Sequence, residues 1–120
     1  MPYDPREDFA GITQVRFSTN TWLVSSSLGV KSVADLVALG KAQPGKLNYG
    51  ADALGTAGHL NGACFQLAAG IKVVRVAFKG GPYTAIEILA GRSHFTFITM
   101  GLALPFIMEG KLLARAVTSP

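Results

Sequence analysis

Between residues 47 and 109 one pattern recurs: a short apolar run, a glycine-bearing turn, then a stretch with helical spacing. Leu47-Asn48-Tyr49 leads into the loop Gly50–Thr56 and a helix carrying Leu60, Ala63, Cys64 and Leu67 on one side, which ends at Gly70. "VVRVAF" (Val73–Phe78) leads through Lys79-Gly80-Gly81 into a helix with Pro82 in its first turn and Gly91 just past its end. "HFTFIT" leads through Gly101 into the short helix "LALPFIMEG". Strand-plus-helix units of this length build right-handed crossovers. The expected fold is therefore α/β: a three-layer sandwich around a mainly parallel or mixed sheet of about five strands, with helices on both faces.

The flanks extend this plan. "GITQVRFSTN" and "TWLVSSS" read as two extended segments, broken near Thr19-Asn20. In "KSVADLVALGKAQPG", Ser32 and Asp35 form a capping-box pattern, and Pro44-Gly45 stop the helix. "LLARAVTS" reads as a last strand. The near-continuous apolar runs "VVRVAF" and "FTFI" predict strands buried on both faces. A chain of 120 residues is expected to form one domain over 1–120.

Composition narrows the function. Charged residues make up 15% of the chain and apolar ones 49%, against a charged share of about 25% in ordinary globular domains. That deficit predicts an apolar face that another lobe or subunit covers. The net charge of +4 comes from scattered Lys and Arg with no basic run, which argues against nucleic-acid binding. Cys64 is the one cysteine, so it can form no intrachain disulfide, and its helical setting predicts a buried, inert thiol. "MPYDPREDF" is polar and proline-rich, unlike a secretory signal. Phe95–Met108 is too short to span a bilayer, which takes about 20 residues, so a soluble domain is expected.

Two loops carry anion-holding chemistry. The run from Gly50 to Thr56 reads G-x-x-x-x-G-T, a phosphate-loop spacing without its lysine. There Gly55 lets the backbone approach a ligand, Thr56 caps the next helix, and the amides of Ala57 and Gly58 fall among its unpaired first-turn donors. In the second loop Lys79 offers charge, Gly80 and Gly81 free the backbone, and the helix from Pro82 adds its positive end. Such loops gather at the carboxyl edge of a parallel sheet, where ligands bind. A nucleotide would need the missing lysine and an acidic Mg²⁺ ligand, so a carboxylate is the better match. His59 and His94 make no i, i+4 metal pair, and a helix-embedded His59 reads as a structural hydrogen-bonder. Ser25, Ser26 and Ser93 lack a nucleophile-elbow setting, and no carboxylate pair suggests acid–base work. The expected protein binds and does not catalyse, without metal or cofactor.

Several stretches together resemble one family. "PYDPREDFAGITQV", "KSVADLVALGKAQPGKLNYG", "GTAGHLNGACF", "VAFKGGPYTAIEILAGR" and "ALPFIMEGKLLARAVTS" are similar, in order and spacing, to the extracytoplasmic solute receptors of tripartite tricarboxylate transporters, the Bug-type periplasmic binding proteins. The resemblance implies one lobe of a type II periplasmic binding protein, specifically the second lobe, with the first lobe missing on either side. It also implies a small organic acid as ligand, membrane permease subunits as partners and a periplasmic location. By position, Thr99, after the fifth expected strand, borders the cleft with Gly55, Thr56, Ala57, Lys79 and Gly80. The sequence departs from the family's hydroxyl-rich first loop at Ala51 and Asp52, from a glycine at Ala53, from a common Tyr at Phe78 and from a common acidic residue at His94. An Asp52 facing the ligand would repel a carboxylate. An uncovered cleft face would drive homodimer formation.

Overall fold

The computed structural model describes residues 2–118, apart from the side chain of Arg115. The elements run β1 (Asn20–Val24), α1 (Val33–Ala42), β2 (Asn48–Ala51), α2 (Ala57–Ala69), β3 (Val74–Ala77), α3 (Gly81–Leu89), β4 (Phe95–Thr99), α4 (Met100–Met108) and β5 (Leu113–Val117). Local chemistry sets the helix ends. Ser32 Oγ accepts the Asp35 N–H at 3.1 Å, while the Asp35 carboxylate accepts the Lys31 N–H at 3.2 Å. Pro82 lies in the first turn of α3, where its missing N–H costs nothing. Gly70 closes α2 in the left-handed conformation, φ 64°.

The sheet order is β3-β2-β4-β1-β5. β2 runs parallel to both β3 and β4, whereas β1 is antiparallel to β4 and β5. Alternation then divides the core in two. Trp22, Val24, Tyr49, Phe95 and Phe97 bury against Leu36 of α1 and Phe65 of α2. Leu23 and Ile98 point the other way, onto Ala85 and Ile88 of α3 and Ala103 of α4. The expected three-layer α/β sandwich is thus a mixed five-stranded sheet with a helix pair on each face.

Several local expectations are corrected. Of the two N-terminal extended segments only the second enters the sheet; residues 11–18 lie exposed, with Ile12, Val15 and Phe17 in solvent. The strand expected to be fifth is therefore β4. β4 is buried as expected, but β3 is an edge strand with Val74 and Ala77 exposed, because β2 pairs with it on one side only. Gly101 is no loop residue: β4 passes directly into α4, whose first turn contains it. Cys64 is exposed, and so are Leu60 and Leu67 beside it. The inward side of α2 is carried by Gly62 and Phe65, so the stripe read from the sequence faces outward. Ser119, the end of the expected last strand, lies outside the described residues.

His94 ties the amino ends of β2 and β4 together. Its Nδ1 accepts the Asn48 N–H at 2.9 Å, and its own N–H donates to Asn48 Oδ1 at 3.0 Å. Burial, which disfavours the charged form, holds the imidazole below its ordinary 6.5, and Nδ1 serves as an acceptor for the Asn48 N–H. The unfolded chain then takes up the proton first as pH falls. The His94 contribution to stability is complete above pH 6.5 and is lost as pH drops from there through the lower folded value. Thermal unfolding at about pH 7.5 and about pH 5.5, on either side of that window, should show a lower midpoint in acid. His94→Asn, which keeps an acceptor and removes the titration, should flatten the difference. An equal acid shift in the variant would refute this assignment.

Candidate functional site

Because β3, β2 and β4 are adjacent and parallel, their carboxyl ends share one edge of the sheet. Strands pack about 4.8 Å apart, so the three ends span roughly 10 Å. From each end a helix departs: α2 after Thr56, α3 after Gly80 and α4 after Thr99. The fold therefore brings Gly55, Thr56, Ala57, Lys79, Gly80 and Thr99 to one edge. The helices leave on opposite faces. A methyl on Gly58 would stand 3.0 Å from the Phe97 carbonyl, which seats the start of α2 over β4. A methyl on Gly81 would stand 2.6 Å from Leu102 Cδ1, which joins the starts of α3 and α4 on the other side.

The donors at this edge are unequal. The Gly55 N–H is already given to His59 Nδ1 at 3.0 Å, so His59 is the structural hydrogen-bonder its helical setting predicted. The Thr56 hydroxyl donates to the Ala53 carbonyl at 2.9 Å and accepts the His59 N–H at 3.4 Å. Gly55 and Thr56 thus shape and cap the turn, and the amides of Ala57 and Gly58 have no partner among the described residues. At α3, Gly80 has no side chain to cap with, and its backbone (φ 121°, ψ 167°) is open essentially to glycine alone. Its carbonyl takes both the N–H and the hydroxyl of Thr84, each at 3.1 Å. That leaves the Gly81 and Tyr83 amides unpartnered among the described residues, with the positive end of the helix behind them. Lys79 is exposed beside them and in no ion pair among the described residues.

Two residues at this edge escaped the sequence reading. Arg75 of β3 donates from Nη1 to the Asp52 carbonyl at 2.8 Å, bracing the first loop. Its charge also opposes the burial that pushes the Tyr49 phenol above its ordinary 10.0. A lone cation inside an apolar strand was the available signal. Asn20 begins β1 directly opposite Thr99 and is only 8% exposed. Nothing local distinguishes it, since its position depends on the pairing of strands far apart in sequence. Among the described residues no group of acidic, histidine or cysteine side chains could hold a metal, and no helix is long and apolar enough to cross a membrane. A concavity lined by Tyr3, Asp4 and Arg6 belongs to the N-terminal segment, not to this edge. Chemically, the edge offers main-chain donors and a cation to an anion.

Solved structures share this fold. The chain superposes with a TM-score of 0.86 on R. palustris Rpa4515 with adipate, at 34% identity, covering 99% of this chain and 40% of that one. The periplasmic binding protein BugD gives a TM-score of 0.79 at 22% identity, covering 85% of this chain and 34% of that one, a likeness of fold. Protein BugT of Bordetella pertussis is 29% identical over 119 residues, which is 99% of this chain and 36% of that protein. The family model for the tripartite tricarboxylate transporter family receptor matches residues 1–120, and the chain belongs to that family. Its relatives are solute receptors, not enzymes. The chain spans little more than a third of the length of the relatives it matches.

Proposed function

We propose that residues 1–120 act as one lobe of a periplasmic receptor for a small organic acid, working with a membrane permease. The observation that carries this reading is the set of unpartnered amides at two helix starts, Ala57 and Gly58 on α2 with Gly81 and Tyr83 on α3, along one sheet edge beside Lys79. Charge-assisted hydrogen bonds of this kind contribute about 1.5–3 kcal/mol each. Gly55, Thr56 and Gly80 hold the turns, Ala57 supplies a donor, Lys79 attracts the anion, and Thr99 borders the same edge. The adipate of Rpa4515 supports a dicarboxylate as ligand. Arg75 grips the Asp52 carbonyl and lowers the negative potential that Asp52 brings to the first loop.

The rim beside the donors is apolar: Leu54 is 73% exposed, Tyr83 60% and Leu102 41%. A bound acid needs that rim covered to exclude water. In relatives of nearly three times the length, the remaining chain is available for this. Alone, the 120 residues should bind adipate no tighter than roughly millimolar, about −4 kcal/mol. Lys79→Ala should weaken binding about twofold to fivefold, as for an exposed charge. Calorimetry giving micromolar affinity would contradict the single-lobe reading. Absence of any heat or amide shift at tens of millimolar, a range set by roughly ten times that Kd, would contradict the receptor reading.

The same apolar rim favours a second reading, in which a copy of the chain covers it and the main behaviour is self-association. Sedimentation equilibrium separates the two. A dimer that dissociates when Leu54 and Tyr83 are replaced by serine would support self-association through this face, and a monomer would remove it.

A further inference from the structure

Asn20 has its backbone fully committed: its N–H donates to Thr118 Oγ1 at 3.1 Å and its carbonyl accepts the Thr118 N–H at 2.9 Å. Its carboxamide, by contrast, has no hydrogen-bond partner among the described residues, although the residue is more than nine-tenths buried. Buried amides without partners are rare in folded proteins. Among the described residues two other polar side-chain atoms are unpartnered and sealed, Trp22 Nε1 and Ser93 Oγ, but the Asn20 carboxamide is not sealed and keeps a path to solvent.

Strand alternation gives its direction. Trp22 and Val24 point into the aromatic core under α2, and Leu23 points to the α3–α4 side, so Asn20 shares the α2 face. Its register partner Thr99 follows Phe95 and Phe97 on that face. The Thr99 hydroxyl does not cap α4 and is likewise unpartnered among the described residues. The start of α2 lies over the end of β4, at the Phe97 carbonyl. One face of one edge therefore gathers the Asn20 carboxamide, the Thr99 hydroxyl and the free amides of Ala57 and Gly58.

We infer that Asn20 is a further ligand-binding residue of this site, forming a polar floor with Thr99 that selects organic acids bearing a hydroxyl or amino group beside the carboxylate. This rests on the carboxylate-receptor reading above. Main-chain amides only donate, and a carboxylate only accepts, so a plain dicarboxylate is matched by the helix starts alone. A carboxamide both donates and accepts. With Nδ2 donating to a carboxylate oxygen, Oδ1 is left without a donor unless the ligand brings one. A half-enclosed acceptor disfavours an acid lacking that group.

The test compares succinate with L-malate, which differ by one hydroxyl, on the ¹⁵N-labelled 120-residue chain. Malate should move the Asn20 side-chain amide signals together with the Ala57 and Gly58 amides. It should bind roughly two- to tenfold tighter than succinate, the effect of one hydrogen bond. Asn20→Leu, of similar bulk, should abolish that preference, bringing the two acids to within about twofold of each other. A malate preference unchanged in the variant, or Asn20 signals that stay fixed while Ala57 and Gly58 move, would overturn the role of Asn20 and leave the receptor reading standing. Ala57 and Gly58 amides unmoved by either acid would overturn both.

Discussion

Replacing Phe95 by alanine is expected to destabilise the protein by about 3–5 kcal/mol. Phe95 is fully buried and stands where β1, β2, β4 and α2 meet. Its ring lies 5.6 Å from Tyr49 in a stacked arrangement, 5.6 Å from Phe65 edge-on, and 6.2 and 6.3 Å from Trp22 and Phe97. Removing it opens a cavity bounded on several sides by rigid rings, which cannot collapse into the space as aliphatic chains would. Stabilities of domains this size run about 5–15 kcal/mol, so much of the margin disappears. Urea unfolding should show the midpoint falling by about 2 M, given a slope of roughly 1–3 kcal/mol per molar. Phe95→Leu, which keeps much of the volume, should lose far less. A loss below about 1 kcal/mol for alanine would mean that the aromatic cluster is not the core.

Gly62→Ala is expected to destabilise by about 1–3 kcal/mol, against the helix propensity scale, which favours alanine by roughly 1 kcal/mol. The added methyl would lie 2.1 Å from Tyr49 Cε2 and 2.6 Å from Cζ. The Tyr49 ring cannot retreat, because Phe95 is stacked behind it at an interplanar angle of 19°. Helix α2 would have to lift from the sheet, and with it the Ala57 and Gly58 amides that the proposed site uses. The expected fall in Tm is roughly 4–12 °C. Paired with Tyr49→Ala, the Gly62→Ala change should cost nothing further, a coupling that only direct contact produces. A rise in Tm for Gly62→Ala alone would show that α2 does not rest on Tyr49.

Both predictions rely on features the sequence displays without ranking. Phe95 and Gly62 are ordinary members of a strand and a helix until the sheet order makes them neighbours. The loops behave differently. Thr56, Pro82 and the glycines that follow β2 and β3 mark their helix starts through hydrogen bonds and steric limits spanning four residues or fewer, and each lies where the spacing puts it. The reading failed where the partner was distant. Arg75 finds the Asp52 carbonyl across a strand pair, and Asn20 reaches the carboxyl edge by pairing with Thr99. The stripe Leu60, Cys64 and Leu67 has helical spacing, yet it faces outward because Gly62, where a Cβ would clash with Tyr49, lies on the sheet side of the helix.

The amino-acid sequence by itself determined the alternating strand–helix plan, the starts of α1, α2 and α3 and the glycine turns that precede α2 and α3. Those depend on short-range backbone geometry, which neighbouring residues dictate. Only the tertiary structure decided that β3 is an edge, that the Gly55 and Thr56 donors are used within their own turn, and that Asn20 stands at the carboxyl edge opposite Thr99. Those depend on which strands pair and which side chains then compete for each hydrogen bond, and that competition is between residues far apart along the chain.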